Sequence, residues 1–332
     1  APASLGPGTV DGTENDKAVS DGGLEALEKH LSLLQMNSVR DHDRDIAALV
    51  HQLGGQGSKY LRDRSSALRR VVSEIYSPPR VTAAAKLLPE LKCIPGFALD
   101  LTVNDDDGNP WDFDVAANRE RARMMVIEQR PMLLVGSPMC TAFSAWQHIN
   151  KLKRDPSIVS REYVRAMVHI RFCMELYQLQ HDGGRYFIHE HPTSATSWAV
   201  PEVRRIMQID GVRVANADQC QYNATTKAGE PLKKPTRFMT NSSCIADALS
   251  KRCPGRGGIC SRGSVHALCN GQRAKDAAIY PFELCRAILV GFRNQMIADG
   301  RLRPGSVGMS CVMFDGGEPR AVEEWYTFGD RQ

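Results

Sequence analysis

A short apolar segment near the middle of the chain restricts the possible folds more than any other feature of the sequence. The segment 132–135, Met-Leu-Leu-Val, is typical of a strand that is buried on both faces of a parallel sheet. Gly136 ends the segment, and Ser137-Pro138 then requires an extended turn, because a residue before proline is disfavoured in the helical conformation. The sequence therefore predicts that Cys140 lies just beyond the carboxyl end of a central strand, where open α/β sheets bind ligands.

Strand-like and helix-like segments alternate from Val71 to Met296, and this alternation predicts the α/β class with a doubly wound, Rossmann-like sheet. The predicted strands are residues 71–76, 96–101, 132–135, 185–192 and 212–215, together with a hairpin or edge strand at 233–240. The predicted helices are residues 81–88, 116–129, 161–180, 203–209, 245–251 and 277–296. Helices between the strands would cover both faces of the sheet.

Before the first strand, leucines recur at helical spacing from Leu24 to Leu34, and two further helices are predicted at residues 46–53 and 59–70. The first residues are rich in glycine, aspartate, threonine and serine, which is typical of disorder. We expect a disordered tail at residues 1–22, a helical extension at 23–70, a main domain at 71–300 with a basic insertion at 241–276, and a C-terminal tail at 301–332.

Basic residues are concentrated in the insertion and directly before it. The formal net charge of +4 is too small to indicate a polyanionic partner by itself, but residues 248–275 contain six lysines and arginines and no acid. Such a run is usually a solvated surface, although in a region rich in loops it can also follow phosphates. The candidate nucleic-acid contacts are Lys233, Lys234, Arg252, Arg256 and Arg262.

Ten cysteines in a chain of 332 residues do not indicate a disulfide scaffold, because several of them, such as Cys173 and Cys285, lie inside apolar runs. We therefore expect a reducing, intracellular compartment, and the nucleus if the source is eukaryotic. Nothing in the sequence resembles a membrane span, so we expect no membrane partner.

Four residues of the basic insertion have side chains that bind zinc. Cys253, Cys260, His266 and Cys269 fall within seventeen residues on a glycine-rich loop and could close a tetrahedral zinc site. Their spacing is not the paired Cys-x-x-Cys of well-attested sites. The alternative is a flexible basic loop whose cysteines are incidental.

Three reactive side chains follow three of the predicted strands in order, and these are Cys140, Glu190 and Arg237. A thiolate nucleophile, a carboxyl group and an arginine suit covalent attack on an electron-poor heterocycle. The carboxyl group would donate a proton or hydrogen bond to a ring nitrogen, and the arginine would fix the base and its partners.

On these residues the chain resembles the cytosine-C5 methyltransferases. That family has a Pro-Pro-Cys loop followed by Phe-Ser, and here residues 137–140 are Ser-Pro-Met-Cys and residues 143–144 are Phe-Ser. Its Glu-Asn dipeptide is similar to Glu190-His191, its Gln-x-Arg-x-Arg segment to residues 234–238, and its closing helix to residues 277–288. The stretch from Glu74 to Asn294, about two thirds of the chain, is more similar still to methyltransferase-like modules of retrotransposon-type polyproteins.

The resemblance implies a Rossmann-like methyltransferase domain that binds S-adenosylmethionine. It also implies that the cofactor residues are Tyr76, Ser77, Asp100, Asp112 and Pro138. In the family, the first strand ends in a loop with two glycines, whereas residues 76–80 are Tyr-Ser-Pro-Pro-Arg. Met139 stands in place of the second proline of the family's loop, and His191 in place of the asparagine.

The function that the resemblance implies is methyl transfer to C5 of cytosine in a nucleic acid, with DNA favoured over RNA. Cys140 would add to C6 of the base while Glu190 meets N3, and loss of the C5 proton would then expel the thiolate. The base would have to leave the duplex to reach this site. The alternative is a catalytically silent methyltransferase fold that serves nucleic-acid binding or assembly, which the missing glycines favour.

Overall fold

The computed structural model describes residues 42–68, 70–144 and 154–302. Its strands are β1 (Val71–Ile75), β2 (Ile94–Leu99), β3 (Leu133–Gly136), β4 (Tyr186–Pro192), β5 (Arg213–Asp218) and β6 (Pro235–Thr240). Its helices are α1 (42–52), α2 (Gly57–Leu68), α3 (Val81–Leu87), α4 (Ala116–Gln129), α5 (Pro156–Asp182), α6 (Pro201–Met207), α7 (Ser243–Ala248), α8 (Gly271–Asp276) and α9 (Phe282–Ala298). The predicted tail at 1–22, the predicted helix from Leu24 and the C-terminal tail beyond residue 302 lie outside the described residues.

The six strands form one sheet in the order β2-β1-β3-β4-β6-β5. All strands run parallel except β6, which pairs antiparallel with β4 on one side and with β5 on the other. The predicted α/β class and a mostly parallel, Rossmann-like sheet are therefore confirmed. Of the two alternatives for residues 233–240, the hairpin is confirmed, because β6 pairs antiparallel with the preceding strand β5. The edge strand is wrong, because Phe238 and Met239 are fully buried on opposite faces and β6 is an interior strand.

Helices cover both faces of the sheet. One face, called the α9 face here, packs against α3, α7 and α9 through residues such as Val135 and Phe238. The other, called the α5 face, packs against α4, α5 and α6 through residues such as Leu134 and Phe187. Successive strand residues alternate between the two faces, as the period of a strand requires. The face to which a side chain points therefore decides which site it can join.

Two predicted helix boundaries need correction, and proline explains both. The helix predicted at 161–180 begins earlier, at Pro156, because the Asp155 carboxylate accepts the Ser157 amide at 2.8 Å and proline suits the first helical turn. The helix predicted at 277–296 is divided between α8 and α9, since α9 begins directly after Pro281, which occupies its N-cap position in extended geometry.

The order of the strands places a crevice at the carboxyl ends of β1 and β3. The chain passes from β1 to β2 on one side, whereas β3 lies on the other side of β1. Two amides continue the ladders beyond these strand ends: Ser77 N donates to Leu99 O at 3.4 Å, and Ser137 N donates to Ile75 O at 3.2 Å. Open α/β sheets bind their ligands at such a reversal of strand order.

The nine cysteines within the described residues are all free thiols. Among those same residues, none of the helices combines the length and the apolar composition that crossing a bilayer would require.

Candidate active site and metal centre

The loop after β3 carries Cys140 at the position that the sequence predicts. Cys140 is half-buried and leads into a short 3₁₀ turn at Thr141–Phe143. The preceding loop is held from two sides, because the Ser137 hydroxyl lies 2.6 Å from the Tyr280 hydroxyl and the Pro138 carbonyl lies 3.0 Å from His191 Nε2. Cys140 is thus carried by a fixed loop at the carboxyl edge of the sheet.

Glu190 lies near the end of β4 and points to the α9 face. The residue is 7% exposed, and its Oε1 atom has no hydrogen-bond partner among the described residues. The nearest cation is Lys234, whose Nζ atom lies 3.9 Å from Oε1. An unpaired buried acceptor is costly, which suggests that a ligand completes this site.

Glu190 lies close enough to Cys140 to affect the ionisation of the thiol. Burial raises the pKa of the Cys140 thiol, the charge of Glu190 raises this pKa further, and the charge of Lys234 opposes both. The structure therefore brings Cys140, Glu190 and Lys234 into one site, in which the resting cysteine is a protonated thiol at neutral pH.

Arg237 does not join this site, contrary to the sequence prediction. In the pairing of β4 with β6, Glu190 is opposite Phe238, whereas Arg237 is opposite His191. Directly paired residues share a face, so the side chain of Arg237 points to the α5 face. There it donates from Nε to Asn216 Oδ1 at 3.1 Å and lies over the Trp198 ring at 5.3 Å.

The basic residue beside Glu190 is Lys234, whereas the sequence predicts Arg237 there. It lies one residue before β6, and its Nζ donates to the Ala277 carbonyl at 2.8 Å as well as approaching Glu190. Its backbone φ of +25° falls outside the conformations usual for a residue with a side chain. Local strain of this kind is concentrated at functional sites. The sequence offered Lys234 as a nucleic-acid contact and gave no signal for this position.

His191, which the sequence left ambiguous, joins the Cys140 loop to β4. The residue is fully buried, with Nδ1 2.6 Å from the Ser197 hydroxyl and Nε2 3.0 Å from the Pro138 carbonyl. Burial lowers the pKa of His191, so the neutral ring donates from Nε2 to Pro138 and accepts at Nδ1 from Ser197. The loop of Cys140 is therefore attached to the strand of Glu190.

The turn after β1 is shaped by Glu74, a residue that the sequence analysis missed. Glu74 is fully buried and accepts hydrogen bonds from the Ser77 hydroxyl, the Arg80 amide, and both the amide and the hydroxyl of Thr82, all at 2.8–2.9 Å. The signal in the sequence was an acidic residue inside an apolar strand. The carboxylate thus holds a turn that contains no glycine.

Tyr76 precedes this turn with a φ of +54°, the left-handed region that glycine occupies without strain. Its ring packs on Phe113 with centroids 4.5 Å apart, and its hydroxyl donates to His169 Nδ1 at 2.9 Å. The backbone of Tyr76 lies at the crevice, whereas its side chain belongs to the core on the α5 face.

The other predicted cofactor residues lie along the same edge of the sheet. Ser77 and the buried Pro138 follow β1 and β3, and Asp100 follows β2. The Asp100 carboxylate accepts from the amide and hydroxyl of Thr102 at 3.0 and 2.7 Å. Asp112 lies on the loop before α4, where its carboxylate accepts from the Asp114 amide at 2.9 Å. The first three residues border the crevice directly.

Arg80 adds a group that the sequence analysis missed. Its guanidinium lies 5.1 Å from the centroid of the Tyr280 ring, and its buried Nε atom has no hydrogen-bond partner among the described residues. Because Tyr280 also contacts Ser137, this cation lies beside the crevice between β1 and β3.

A second cluster forms beside the end of β5 and could hold a metal ion. It consists of Cys220, Cys253, Cys260 and His266, whose ligand atoms all lie within 4.8 Å of one another. Three of the four predicted ligands are therefore together. The prediction of Cys269 is wrong, because Cys269 packs instead beside Ala224, Leu232 and Ala277. Cys220 comes from the turn after β5, far from the other ligands in sequence.

The five predicted nucleic-acid contacts are in different environments. Lys234 lies in the active-site cluster, Lys233 is half-buried, and the Arg252 guanidinium pairs with the buried Asp218 at 3.0 Å. Arg256 and Arg262 are exposed on the loop between the cluster's cysteines and histidine. These two arginines are the members of the set with the most accessible charge.

The opposed effects of Glu190 and Lys234 predict how the reactivity of Cys140 depends on pH. Glu190→Gln should lower the pKa of Cys140 and move its alkylation by iodoacetamide to lower pH, because it removes the negative charge that disfavours the thiolate. Lys234→Met should move the profile to higher pH. Alkylation rates of the Cys140 peptide, measured by mass spectrometry, test both shifts. Arg237→Met is the matched control and should leave the profile unchanged; equal profiles for all variants would contradict the geometry.

Comparison of the chain with protein-family models, with curated proteins and with solved structures gives no match.

Proposed function

We propose that this protein transfers a methyl group from S-adenosylmethionine to C5 of a cytosine in a nucleic acid, through a covalent adduct of Cys140. The observation that carries the proposal is the buried Oε1 atom of Glu190, which has no hydrogen-bond partner among the residues that the structure describes and lies in the same site as a half-buried cysteine. A cytosine ring supplies a partner for both groups, because its N3 can share a proton with a carboxyl group while its C6 accepts a thiolate.

The residues of the chain would act in a fixed order. Glu190, protonated, would hold its proton at N3 of the base, which withdraws electrons from the ring. The Cys140 thiol would lose its proton to solvent, its sulfur would form a bond to C6, and the electron pair of the C5–C6 double bond would move to C5. When bound, S-adenosylmethionine supplies an electrophilic methyl group for C5. A base would then remove the C5 proton, the C5–C6 double bond would re-form, and the Cys140 thiolate would leave.

Binding of the base would favour ionisation of Cys140. The charge of Glu190 raises the pKa of Cys140, so a neutral Glu190 removes that opposition. Lys234, 3.9 Å from Glu190 Oε1, favours the thiolate in the same site. Binding of the cytosine base to Glu190 would thereby favour formation of the Cys140 thiolate that attacks the base.

The crevice between β1 and β3 offers groups that suit the cofactor. The buried Arg80 Nε atom lacks a hydrogen-bond partner within the described part of the chain and could donate to the carboxylate of the methionine part. Asp100, after β2, could hold the ribose hydroxyls, and Asp112 the adenine amine, as the family resemblance implies.

A nucleic-acid substrate is supported by the exposed Arg256 and Arg262, which lie on a loop without acidic residues. The second candidate function is a silent module that binds nucleic acid without methyl transfer. One observation favours it: Tyr76 occupies the left-handed position at the crevice where a glycine would let a cofactor approach the backbone closely. Binding of the cofactor separates the two functions.

Calorimetric titration with S-adenosylmethionine should detect binding, and Arg80→Met and Asp100→Asn should each weaken it about tenfold or more, because each removes a charge-assisted hydrogen bond. Arg237→Met should leave the affinity unchanged, since that side chain lies on the opposite face. No binding to the intact protein at millimolar cofactor would leave the silent module as the function.

The covalent step is tested with DNA and RNA strands that contain 5-fluorocytosine. After methyl transfer the fluorine cannot leave C5 as a proton does, so the adduct with Cys140 should accumulate in a cofactor-dependent way and be visible by mass spectrometry. Cys140→Ser should abolish the adduct, and Glu190→Gln should slow its formation on the order of a hundredfold. Cys244→Ser is the matched control and should form it normally. Cofactor binding without an adduct on any DNA or RNA strand would refute methyl transfer.

A further inference from the structure

We propose that Cys220, Cys253, Cys260 and His266 bind one Zn²⁺ ion, and that this ion fixes the position of Lys234 in the candidate active site. Binding of zinc is independent of the proposed methyl transfer. The importance of the link to Lys234 rests on the proposed function, but the experiment that tests the link does not require methyl transfer.

The distances within the cluster fit a tetrahedral zinc site. The Sγ atoms of Cys253 and Cys260 are 3.8 Å apart, and Cys253 Sγ lies 3.6 Å from His266 Nε2. Zinc–sulfur and zinc–nitrogen bonds of about 2.3 and 2.1 Å at a tetrahedral angle require edges of about 3.8 and 3.6 Å. The two cysteines are too far apart for a disulfide, whose sulfur–sulfur bond is about 2.05 Å.

The surroundings of the cluster prepare its atoms for a metal. His266 has its Nδ1 atom 3.0 Å from the Gly258 carbonyl, so Nδ1 carries the proton and the lone pair of Nε2 points at the sulfurs. The Ser261 amide donates to Cys253 Sγ at 3.5 Å, and the Gln221 side-chain amide donates to Cys220 Sγ at 3.6 Å. Thiolates and imidazole are the ligands that select zinc.

Packing alone does not explain why this cluster forms. Cys220, Cys253 and Cys260 are buried in a cluster of their own that contains no aliphatic or aromatic residue. The loop around them is otherwise exposed, with half or more of the Ile259 and Val265 surface open to solvent. A loop that buries two of its thiols against Cys220 and exposes its aliphatic side chains needs another source of stability, which a structural metal ion provides.

Hydrogen bonds connect the metal ligands to Lys234 through the turn after β5. Gln219, next to Cys220, donates from its amide to the Lys233 carbonyl at 2.8 Å and from its side chain to the Thr236 hydroxyl at 3.0 Å. The Thr236 hydroxyl in turn donates to the Lys234 carbonyl at 3.1 Å. Fixing Cys220 on a metal therefore fixes the backbone from which Lys234 reaches Glu190.

The other side of the same turn is tied to a second ligand. The Cys253 amide donates to the Asp218 carboxylate at 2.9 Å, and the Asp218 amide donates to the Lys251 carbonyl at 3.0 Å. The end of β5, the segment before β6 and the basic loop are therefore joined to one another by hydrogen bonds, and a bound metal would add a further link between the first and the last of them.

Metal content of the purified, untagged protein, measured by elemental mass spectrometry, tests the ligand set. The intact protein should contain one zinc ion per chain, Cys220→Ser should lose most of it, and the matched control Cys269→Ser should retain it. Replacement of zinc by Co²⁺ in the intact protein provides a second readout that needs no variant to fold, the thiolate-to-cobalt charge-transfer absorption of a tetrahedral site. Intact, reduced protein that neither contains nor takes up zinc would overturn the site, as would loss of zinc in Cys269→Ser.

The link to Lys234 is tested by measuring the pH dependence of Cys140 alkylation. The protein is treated with a low concentration of iodoacetamide in the absence of substrate, and the Cys140 peptide is followed by mass spectrometry. Removal of zinc by a chelator should move the pH profile of Cys140 to higher pH, as Lys234→Met does, and should cause no further shift in Lys234→Met. Profiles that are identical with and without zinc would overturn the link and leave the zinc site standing. Neither result depends on methyl transfer, so a failure of the zinc site or of its link to Lys234 can be distinguished from a failure of the proposed function.

Discussion

The carboxyl edge of the sheet is organised by the buried carboxylate of Glu74. A buried acidic group is tolerated only when donors surround it, and Glu74 receives four hydrogen bonds from the turn that follows its own strand. Two of these donors are backbone amides at the start of α3, which a carboxylate is well suited to satisfy. This turn also positions the Arg80 guanidinium over the Tyr280 ring. The Tyr280 hydroxyl is hydrogen-bonded to Ser137 in the loop that carries Cys140. One carboxylate thereby aligns the loops that follow both central strands.

The sequence predicted those parts of the structure that depend on local pattern. The alternation of strands and helices, the position of Cys140 and the position of Glu190 at a strand end all follow from apolar periodicity and from proline. The face to which Arg237 points could not be predicted, because it depends on the register between β4 and β6, and a shift of one residue reverses it. Lys234, one residue outside the strand, has no periodic pattern that would indicate its direction.

The metal cluster illustrates a second limit of local pattern. Cys253, Cys260 and His266 belong to one loop, and their proximity in sequence was sufficient to group them. Cys220 joins them because the end of β5 is hydrogen-bonded to the start of that loop, where the Asp218 amide donates to the Lys251 carbonyl and the Cys253 amide donates to the Asp218 carboxylate. Cys269 is closer in sequence but is placed beside Ala277 at the approach to α9. Tertiary pairing, rather than spacing, selects the fourth ligand.

The environment of Cys140 also has a consequence for the chemical durability of the protein. Peroxide and other oxidants attack thiolates far faster than thiols. Burial and the neighbouring charge of Glu190 both favour the thiol form of Cys140 in the resting protein. The cysteine is consequently protected from oxidation in the resting protein, and under the proposed mechanism it becomes nucleophilic only when a bound base takes up the charge of Glu190. The same interaction that slows the resting cysteine thus preserves it.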